Sequence, residues 1–481
     1  MQWWTRTVKW ISDRLGGRAR AQVIFLLAMT IGLEGADLGA VGAMSSILEH
    51  AFGIGKSQVG LLITASQGAG FFSTLLFGRL VDRTSRTRLL TIAIAVWSAA
   101  TIACGAATSF AFLVIARLAL GLVVAAALPC TASLIGDFFP ERERGTIYGY
   151  ILSGEMVGTG VGFVLSGELA MVWWRLGFWV LAIPGLLLAW RLYKLPEPPR
   201  GGAGHLTKGQ REIGQPGGPQ PDQPLHHEER LIAQKAREAG VRPRKRLVRD
   251  EDPGRQSVWW AVRYVLSIPT NVALIIGSAL GYLFFADFRT FGIAYAENWF
   301  HLKHGSAVGL LLVVGIGALP GVWLGGYLGD RLLAKGHLPA RVWIATGFFW
   351  CSAIFLFIAF WLQTLWLAMI FFLGSAFSLG AVNAPLDSAR LDIMHPKLWG
   401  RAEAVRMMLR DLTEAIGPIS FGWLAGLLGG GAEGLHPAFL LMLIPLALAG
   451  GVAVVTFRTY PRDAMSAAEY RRRTMDGANS Q

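Results

Sequence analysis

Long apolar stretches alternate with short polar loops along almost the whole chain. Several stretches, such as 21–47, 89–109 and 438–455, approach or exceed the roughly 20 residues that a helix needs to cross a bilayer. This pattern predicts an all-α membrane protein with twelve transmembrane helices. The predicted helices cover 21–48, 57–80, 88–108, 111–136, 146–169, 175–194, 270–297, 306–328, 341–362, 365–392, 402–428 and 437–457.

The two halves of the chain contain the same series of short motifs, separated by 248 to 250 residues. In the first half the series is Ala36-Asp37, Gly42, Ser57-Gln58-Val59-Gly60-Leu61-Leu62 and Gly78-Arg79-Leu80-Val81-Asp82-Arg83. In the second half it is Ala286-Asp287, Gly292, Ser306-Ala307-Val308-Gly309-Leu310-Leu311 and Gly326-Tyr327-Leu328-Gly329-Asp330-Arg331. The repeat predicts two pseudo-symmetric six-helix bundles, an organisation typical of secondary transporters.

The composition fits a membrane protein, since 53% of the residues are hydrophobic and only 16% are charged, whereas a soluble domain has about 25% charged residues. The net charge of +13 is concentrated in alternate loops and in the tails, and therefore does not indicate nucleic-acid binding. By the positive-inside rule, this distribution predicts a multi-pass plasma-membrane protein with both termini in the cytoplasm.

The distribution of apolar and charged residues divides the chain into five segments. We expect a cytoplasmic or interfacial segment at 1–20, a six-helix bundle at 21–194 and a cytoplasmic linker at 195–256. A second bundle with an interfacial lead-in helix follows at 257–457, and a cytoplasmic tail at 458–481. The linker is rich in proline, glycine and charge, so it lacks the apolar residues for a core of its own.

Three loop and helix motifs resemble those of the major facilitator superfamily. The turn Gly78–Arg88 is similar to the hallmark loop of that superfamily, with Ser85 at a position where glycine is usual. Arg117–Gly121 resembles its fourth-helix motif, and Asp137–Gly145 resembles its loop between helices four and five. The resemblance implies the major facilitator fold. It also implies a cytoplasmic gate, a charge network that locks the inside closed, formed by Asp82, Arg83, Arg86, Asp137 and Arg144.

Other motifs resemble particular branches of the superfamily. The segment Pro196-Glu197-Pro198-Pro199-Arg200-Gly201 is similar to one in the Spinster-like lysolipid transporters. This chain departs from that family in having Leu38 where an arginine is usual and Val124 where an acid is usual. The glycines of 154–162 partly resemble the motif of drug/proton antiporters, without its proline.

Two acids lie on one face of the first predicted helix, where ionisable residues are functional candidates by default. Glu34 and Asp37 are three residues apart, well away from either membrane surface. In one interpretation Asp37 is the principal protonation site and Glu34 tunes it. In the other, the pair is a structural ion-pair partner of Arg117.

Four further ionisable residues are candidates for the substrate site. Arg117 is expected to steady a helix contact, to bind an anionic headgroup or to modulate the proton site. Asp287 is the repeat partner of Asp37. Glu155 and Arg410 each lie ten residues after a glycine that opens a helix, so they are predicted to face a shared polar cavity. For Glu155 we also expect a part in proton coupling. A local pair of Arg410 with Glu414 is the alternative.

These features together predict a proton-coupled secondary transporter of an amphiphilic, lipid-like or drug-like small molecule. A transporter of a small organic anion or a sugar is the alternative, and a non-transporting membrane sensor is a third hypothesis. We expect no cofactor besides the proton gradient, no metal and no enzymatic activity, because no nucleophile–base or metal-ligand constellation is present. The expected partners are a small-molecule or lipid substrate, protons and membrane lipids, with a monomeric chain and no nucleic acid.

Overall fold

The computed structural model describes residues 17–54, 56–200, 231–429 and 431–479 as a succession of helices joined by short turns. The chain forms two compact units. One contains Met1–Glu229, Pro253–Ala261 and Pro396–Val405, and the other contains Arg230–Asp252, Val262–His395 and Arg406–Gln481. Most of the predicted interfacial segment at 1–20 lies outside the described residues, which begin at residue 17. Residues 201–230, about half of the predicted linker, also lie outside them.

The first unit is built from eight described helices. They are α1 (Arg18–Ala43), α2 (Ser45–Phe52), α3 (Lys56–Arg83), α4 (Arg86–Gly105), α5 (Phe110–Val124), α6 (Ala127–Phe138), α7 (Arg144–Val172) and α8 (Trp174–Tyr193). Ser85 and Ser109 begin α4 and α5, and their hydroxyls accept hydrogen bonds from the backbone N–H groups of Arg88 and Phe112. These serine caps satisfy donors that have no partner inside the helix.

The second half of the chain contributes eight more described helices. They are α9 (Leu231–Glu238), α10 (Val258–Val265), α11 (Pro269–Trp299), α12 (His304–Ala334), α13 (Ala340–Trp361), α14 (Leu365–Asp392), α15 (Trp399–Leu427) and α16 (Gly431–Asn479). Helix α10 corresponds to the predicted interfacial lead-in helix. The first residues of α15 belong to the first unit, whereas the rest of α15 belongs to the second.

The helix lengths and composition confirm the predicted all-α membrane fold. Among the described residues, ten helical segments are long and apolar enough to cross a membrane, with α5 and α6 taken as one segment. Helices α12 and α15 have 31 and 29 residues, so they are also longer than the roughly 20 residues that cross a bilayer. The twelve helices therefore occur at the positions that the apolar pattern predicts, and the protein is a multi-pass membrane protein.

The fourth transmembrane segment is interrupted between α5 and α6, at Ala125 and Ala126. Pro129 lies in the first turn of α6 and has no N–H to donate to a carbonyl one turn earlier, which explains why the helix is interrupted here. Pro385 lies at a comparable place in the second half, yet α14 continues through it. The repeat therefore differs in its backbone at this position.

Helices α1 and α7 pack with their backbones in close approach. On α7, Gly154, Gly158 and Gly162 follow each other at intervals of four residues and face α1. A Cβ atom added at Gly158 would overlap the carbonyl oxygen of Gly32. Small residues at such an interface let transmembrane helices pack closely, so the glycine pattern of α7 has a packing role here.

Helix α16 continues beyond the predicted end of the last span at residue 457. Its 49 residues correspond to roughly 74 Å, more than twice the ~30 Å hydrocarbon thickness of a bilayer. The part of the predicted linker around Ala236 packs on this extension, where Ala236 and Met465 form a small buried cluster. Arg244 of the linker pairs with Asp463 of the tail at 2.8 Å, so apolar and ionic contacts both join the two segments.

Candidate functional site

Asp37 and Arg117 form a buried ion pair between α1 and α5. The Nη1 atom of Arg117 donates to both carboxylate oxygens of Asp37, at 2.6 and 2.8 Å. The remaining nitrogens of Arg117 donate to the Ser66 hydroxyl at 3.0 Å and to the Leu62 carbonyl at 3.3 Å. Arg117 is fully buried, and each of its charged nitrogens has an acceptor. This geometry corresponds to the ion-pair interpretation, which the sequence left open.

The other two predicted proton-coupling acids, Glu34 and Glu155, are half-buried. Glu34 borders a small cleft lined by Trp97 and Val124. Glu155 lies on α7 between Gly154 and Gly158, two of the glycines that face α1. Their predicted roles in proton coupling stay predictions.

Arg410 lies in the second unit, half-buried on α15. Its guanidinium carbon is 4.8 Å from the ring centroid of Tyr282 on α11, and its Nε atom is 3.9 Å from Asp411. The side chain of Glu414, the alternative partner, lies outside the described part of the chain. The shared cavity with Glu155 stays a prediction.

Asp287 is placed very differently from its repeat partner Asp37. It lies on α11 with no exposed surface, and within the described residues neither of its carboxylate oxygens has a hydrogen-bond partner. Gly417 of α15 lies against it, since a Cβ added there would be 2.9 Å from Oδ1. The second half offers no arginine at the place of Arg117, because α14 contains no basic residue before Arg390. The missing arginine is visible in the sequence and could have indicated that Asp37 has an ion-pair partner that Asp287 lacks at the equivalent place.

Asp82 at the end of α3 binds the first turn of α15. It accepts hydrogen bonds from the backbone N–H groups of Gly400 and Arg401, at 2.9 and 3.2 Å, and from Arg401 Nε at 2.6 Å. Both partners belong to Pro396–Val405, which is part of the first unit. A carboxylate at a helix N-terminus is stabilised by the free N–H groups and by the helix dipole. The sequence predicted Asp82 but not Arg401.

Arg86, the first residue of α4, holds a second cluster of the same unit together. Its guanidinium is buried and bonds to Asp137, to the Ser133 hydroxyl at 3.1 Å and to Glu197 at 2.7 Å. It also donates to the Pro198 carbonyl. The structure thus brings together Arg86 and Asp137 of the predicted gate, and adds Glu197 from the segment after α8.

The two remaining gate residues have mainly backbone partners. Arg83 is exposed and donates to the carbonyl oxygens of Arg255 and Gln256, both at 3.2 Å. Arg144 is buried; it donates to the Gly136 carbonyl at 2.7 Å and lies over the ring of Trp399. The five residues therefore lie in the first unit, where Arg86 pairs with Asp137 and Asp82 pairs with Arg401.

The second unit contains a counterpart of the Arg86 cluster. Arg341, at the start of α13, pairs with Asp392 at the end of α14, and the two are 51 residues apart, as are Arg86 and Asp137. Arg341 also donates to Asp330 at 2.8 Å, and the Tyr460 hydroxyl donates to Asp392 at 2.5 Å. Asp330 is the repeat partner of Asp82, so the two halves tie the same aspartate to different arginines. Arg341 is not among the residues predicted from the sequence, although both halves contain an arginine 51 residues before an aspartate.

Glu197 offers a test of the cluster around Arg86. Burial alone would raise the pKa of the Glu197 carboxyl, but the Arg86 guanidinium and the hydrogen bonds from Thr87 hold this pKa below its usual value of 4.5. A lowered folded-state pKa means that the carboxylate stabilises the fold above about pH 4.5, and that this contribution is lost as the pH falls through the folded-state pKa.

We therefore expect Glu197→Gln to lower the melting temperature of the purified protein at neutral pH. The difference from the unaltered chain should shrink as the pH falls through the lowered folded-state pKa of Glu197, because both side chains are neutral below it. Thermal unfolding in detergent across this pH range measures it. Glu168→Gln, at an exposed acid of the same unit, is the control and should have no effect at any pH. Equal melting temperatures for Glu197→Gln and the control at neutral pH would contradict the role given to Glu197.

The sequence model of the Major Facilitator Superfamily matches residues 23–418. The chain belongs to the Major Facilitator Superfamily. Among solved structures it is similar to a bacterial homolog of the human lysosomal transporter Spinster in an inward-facing, occupied conformation, with a TM-score of 0.58 and 19% identity over 93% of this chain and 99% of that one. The human organic anion transporter TETRAN gives a TM-score of 0.62 and 15% identity over 93% and 99% of the two chains. At these identities the likeness shows the fold.

Curated relatives match over a shorter range. A 3-(3-hydroxy-phenyl)propionate transporter of Escherichia coli K12 is 32% identical over 194 residues, which is 40% of this chain and 47% of that protein. A D-galactonate transporter of Escherichia coli O6:H1 is 28% identical over 40% of this chain and 44% of that protein. A 4-hydroxybenzoate transporter of Acinetobacter baylyi is 26% identical over 39% and 41%. Each match therefore spans less than half of the relative, and these names agree with the expectation of a protein that is not an enzyme.

Proposed function

We propose that this chain is a secondary active transporter that moves small organic carboxylates across the membrane, coupled to protons. The superfamily membership supports transport by alternating access of the two six-helix halves. Organic carboxylates are the small-anion alternative considered from the sequence, and they replace the lipid-like substrate as the preferred class. The named relatives support this change, since the three described above are named for aromatic or sugar acids.

The observation that carries the substrate class is Arg410 on the ring of Tyr282. An arginine inside a transmembrane helix is costly and is typical of a functional site. Its planar guanidinium can bind a carboxylate through two parallel hydrogen bonds. The adjacent tyrosine ring, 4.8 Å from the guanidinium carbon, offers a surface for an aromatic or apolar body. The pair therefore suits a ligand that has a carboxylate next to a ring.

The proposal includes a plasma-membrane location, cytoplasmic termini and a monomeric transporter. The support is the surplus of arginine and lysine in alternate loops, which favours cytoplasmic termini by the positive-inside rule. Protons are proposed as the coupling ion because several acids lie within the transmembrane helices, and no other cofactor is required.

Uptake by purified protein in liposomes tests the proposal. The substrates are radiolabelled 4-hydroxybenzoate, 3-(3-hydroxyphenyl)propionate and galactonate, each with and without an imposed pH gradient. Lysophosphatidylcholine is the competing lipid-like substrate and glucose the competing sugar. We expect accumulation of at least one acid only with a gradient. Transport of the lysolipid or of glucose alone, with no uptake of any acid, would overturn the carboxylate assignment.

Arg410→Gln should raise the KM for the transported acid. Loss of a charge-assisted bond costs about 1.5–3 kcal/mol, which corresponds to a roughly 10- to 100-fold weaker interaction. Arg410→Lys keeps the charge and should retain part of the affinity, because the forked geometry is lost. Arg289→Gln, at an exposed arginine of α11, is the matched control. If Arg410→Gln and the control have the same KM as the unaltered chain, Arg410 does not bind the substrate.

A further inference from the structure

Asp287 is a transmembrane carboxylate with no exposed surface and no hydrogen-bond partner among the described residues. On this geometry, and resting on the proposed transport function, we infer that Asp287 carries the coupling proton. From the sequence, Asp37 is the predicted protonation site and Asp287 is a predicted substrate-binding residue.

Helix α15 approaches the carboxyl group of Asp287 closely at Gly417. Gly417 on α15 faces Oδ1, and a Cβ atom at that position would lie 2.9 Å from the oxygen and 3.4 Å from Leu283. On this side the described neighbours of the carboxyl group are therefore a glycine backbone and an apolar side chain. In such surroundings desolvation raises the free energy of a charged carboxylate that has no partner, whereas it affects the neutral acid much less.

Several charged or titratable side chains on the helix of Asp287 and on neighbouring helices contact aromatic rings and are not bonded to Asp287. Arg289 is exposed and lies over the Phe285 ring, and Arg410 lies over Tyr282. His436 of α16 stacks on Trp299, with ring centroids 3.8 Å apart. Within the described residues, none of the ionisable groups forms an ion pair or hydrogen bond with Asp287. These groups include Arg289 and Glu297 on α11, Asp330 and Arg331 on α12, Asp387, Arg390 and Asp392 on α14, Arg410 and Asp411 on α15, and Glu433 and His436 on α16; the Glu414 side chain on α15 is not described.

The comparison with Asp37 assigns different roles to the two repeat partners. Asp37 is held by two hydrogen bonds from Arg117, so its negative charge has a partner inside the first unit. Among the described residues Asp287 has no such partner, so burial favours its neutral form. When α11 and α15 separate enough to admit water, hydration stabilises the carboxylate form of Asp287, and the proton passes to water. One proton then binds and is released in each cycle, at a single carboxylate oxygen.

The test compares Asp287→Asn with the unaltered chain in liposomes. The amide keeps the shape of the neutral acid and cannot titrate. We expect Asp287→Asn to retain exchange of labelled for unlabelled acid, and to lose gradient-driven accumulation by at least about tenfold together with its pH dependence. Asp287→Glu should restore a pH dependence with a displaced midpoint. Glu433→Gln, at an exposed acid of α16, is the control and should behave as the unaltered chain. Unchanged accumulation and pH profile in Asp287→Asn would overturn the inference.

A spectroscopic measurement separates this inference from the proposed function. Infrared difference spectra of the reconstituted protein, recorded between acidic and alkaline pH, report buried protonated carboxyl groups without any substrate. We expect a carboxylic C=O band that titrates in the unaltered chain and is missing in Asp287→Asn. If none of the acids is transported, the proposed function fails and this band still decides on Asp287. Identical spectra for the two proteins would show that Asp287 does not exchange a proton.

Discussion

Replacing Gly158 by valine should prevent the protein from folding to a stable form. A side chain at this position would overlap the carbonyl oxygen of Gly32, and a backbone oxygen cannot move aside as a flexible side chain can. Overpacking of an interior typically costs about 1–3 kcal/mol, and a clash between two helix backbones belongs at or above the top of that range. We expect a large loss of monodisperse protein in detergent, measured by fluorescence-detected size-exclusion chromatography.

The same helix offers a matched control. Gly160 lies two residues further on, and a Cβ added there would contact nothing within 4 Å. Gly160→Val makes the same chemical change in the same helix, including its effect on helix propensity, and should give yield and melting temperature close to those of the unaltered chain. Equal losses for the two variants would indicate that valine acts through the helix itself and not through the contact between α1 and α7.

Asp37→Asn should strongly destabilise the first unit, because it leaves the buried guanidinium of Arg117 without its counter-charge. Removal of one partner from a buried pair costs about 3–5 kcal/mol. Arg117→Gln alone should have a similar effect. The double variant should be more stable than either single variant, since it removes both buried charges. Thermal unfolding of the four proteins in detergent gives the coupling energy of the pair.

The same cycle separates the two interpretations of Asp37. If Asp37 is the protonation site predicted from the sequence, Asp37→Asn imitates its neutral form and should fold normally while it loses gradient-driven accumulation. If it is a structural partner of Arg117, the single variant is unstable and the double variant recovers. A stable Asp37→Asn variant without coupled transport would contradict the ion-pair interpretation and would place the proton on α1.

Much of the candidate site was visible in the sequence as a set of residues, but not as a set of contacts. Asp37, Arg117, Asp287 and Arg410 stand out because charge is rare in transmembrane helices. The Asp37–Arg117 pair was one of the alternatives considered. Glu197 and Arg341 were not recognised, because each lies at a helix end or in a loop, where charged residues are common and no single pattern selects a partner.

The sequence by itself determined the number and position of the transmembrane helices, the twofold repeat and the superfamily. These follow from properties of local sequence, since helix length is set by bilayer thickness and a repeated motif is visible in one dimension. The choice of partner for each buried charge was decided only by the tertiary structure. Asp82 takes Arg401, 319 residues away, although Arg83 and Arg86 are its close neighbours in the chain. Asp37 and Asp287 occupy the same place in the repeat, yet in the described part of the chain Asp37 is hydrogen-bonded to an arginine and Asp287 is not. The physical reason is that ion pairing depends on the distance and burial of side chains from different helices, which the folding of the whole unit sets.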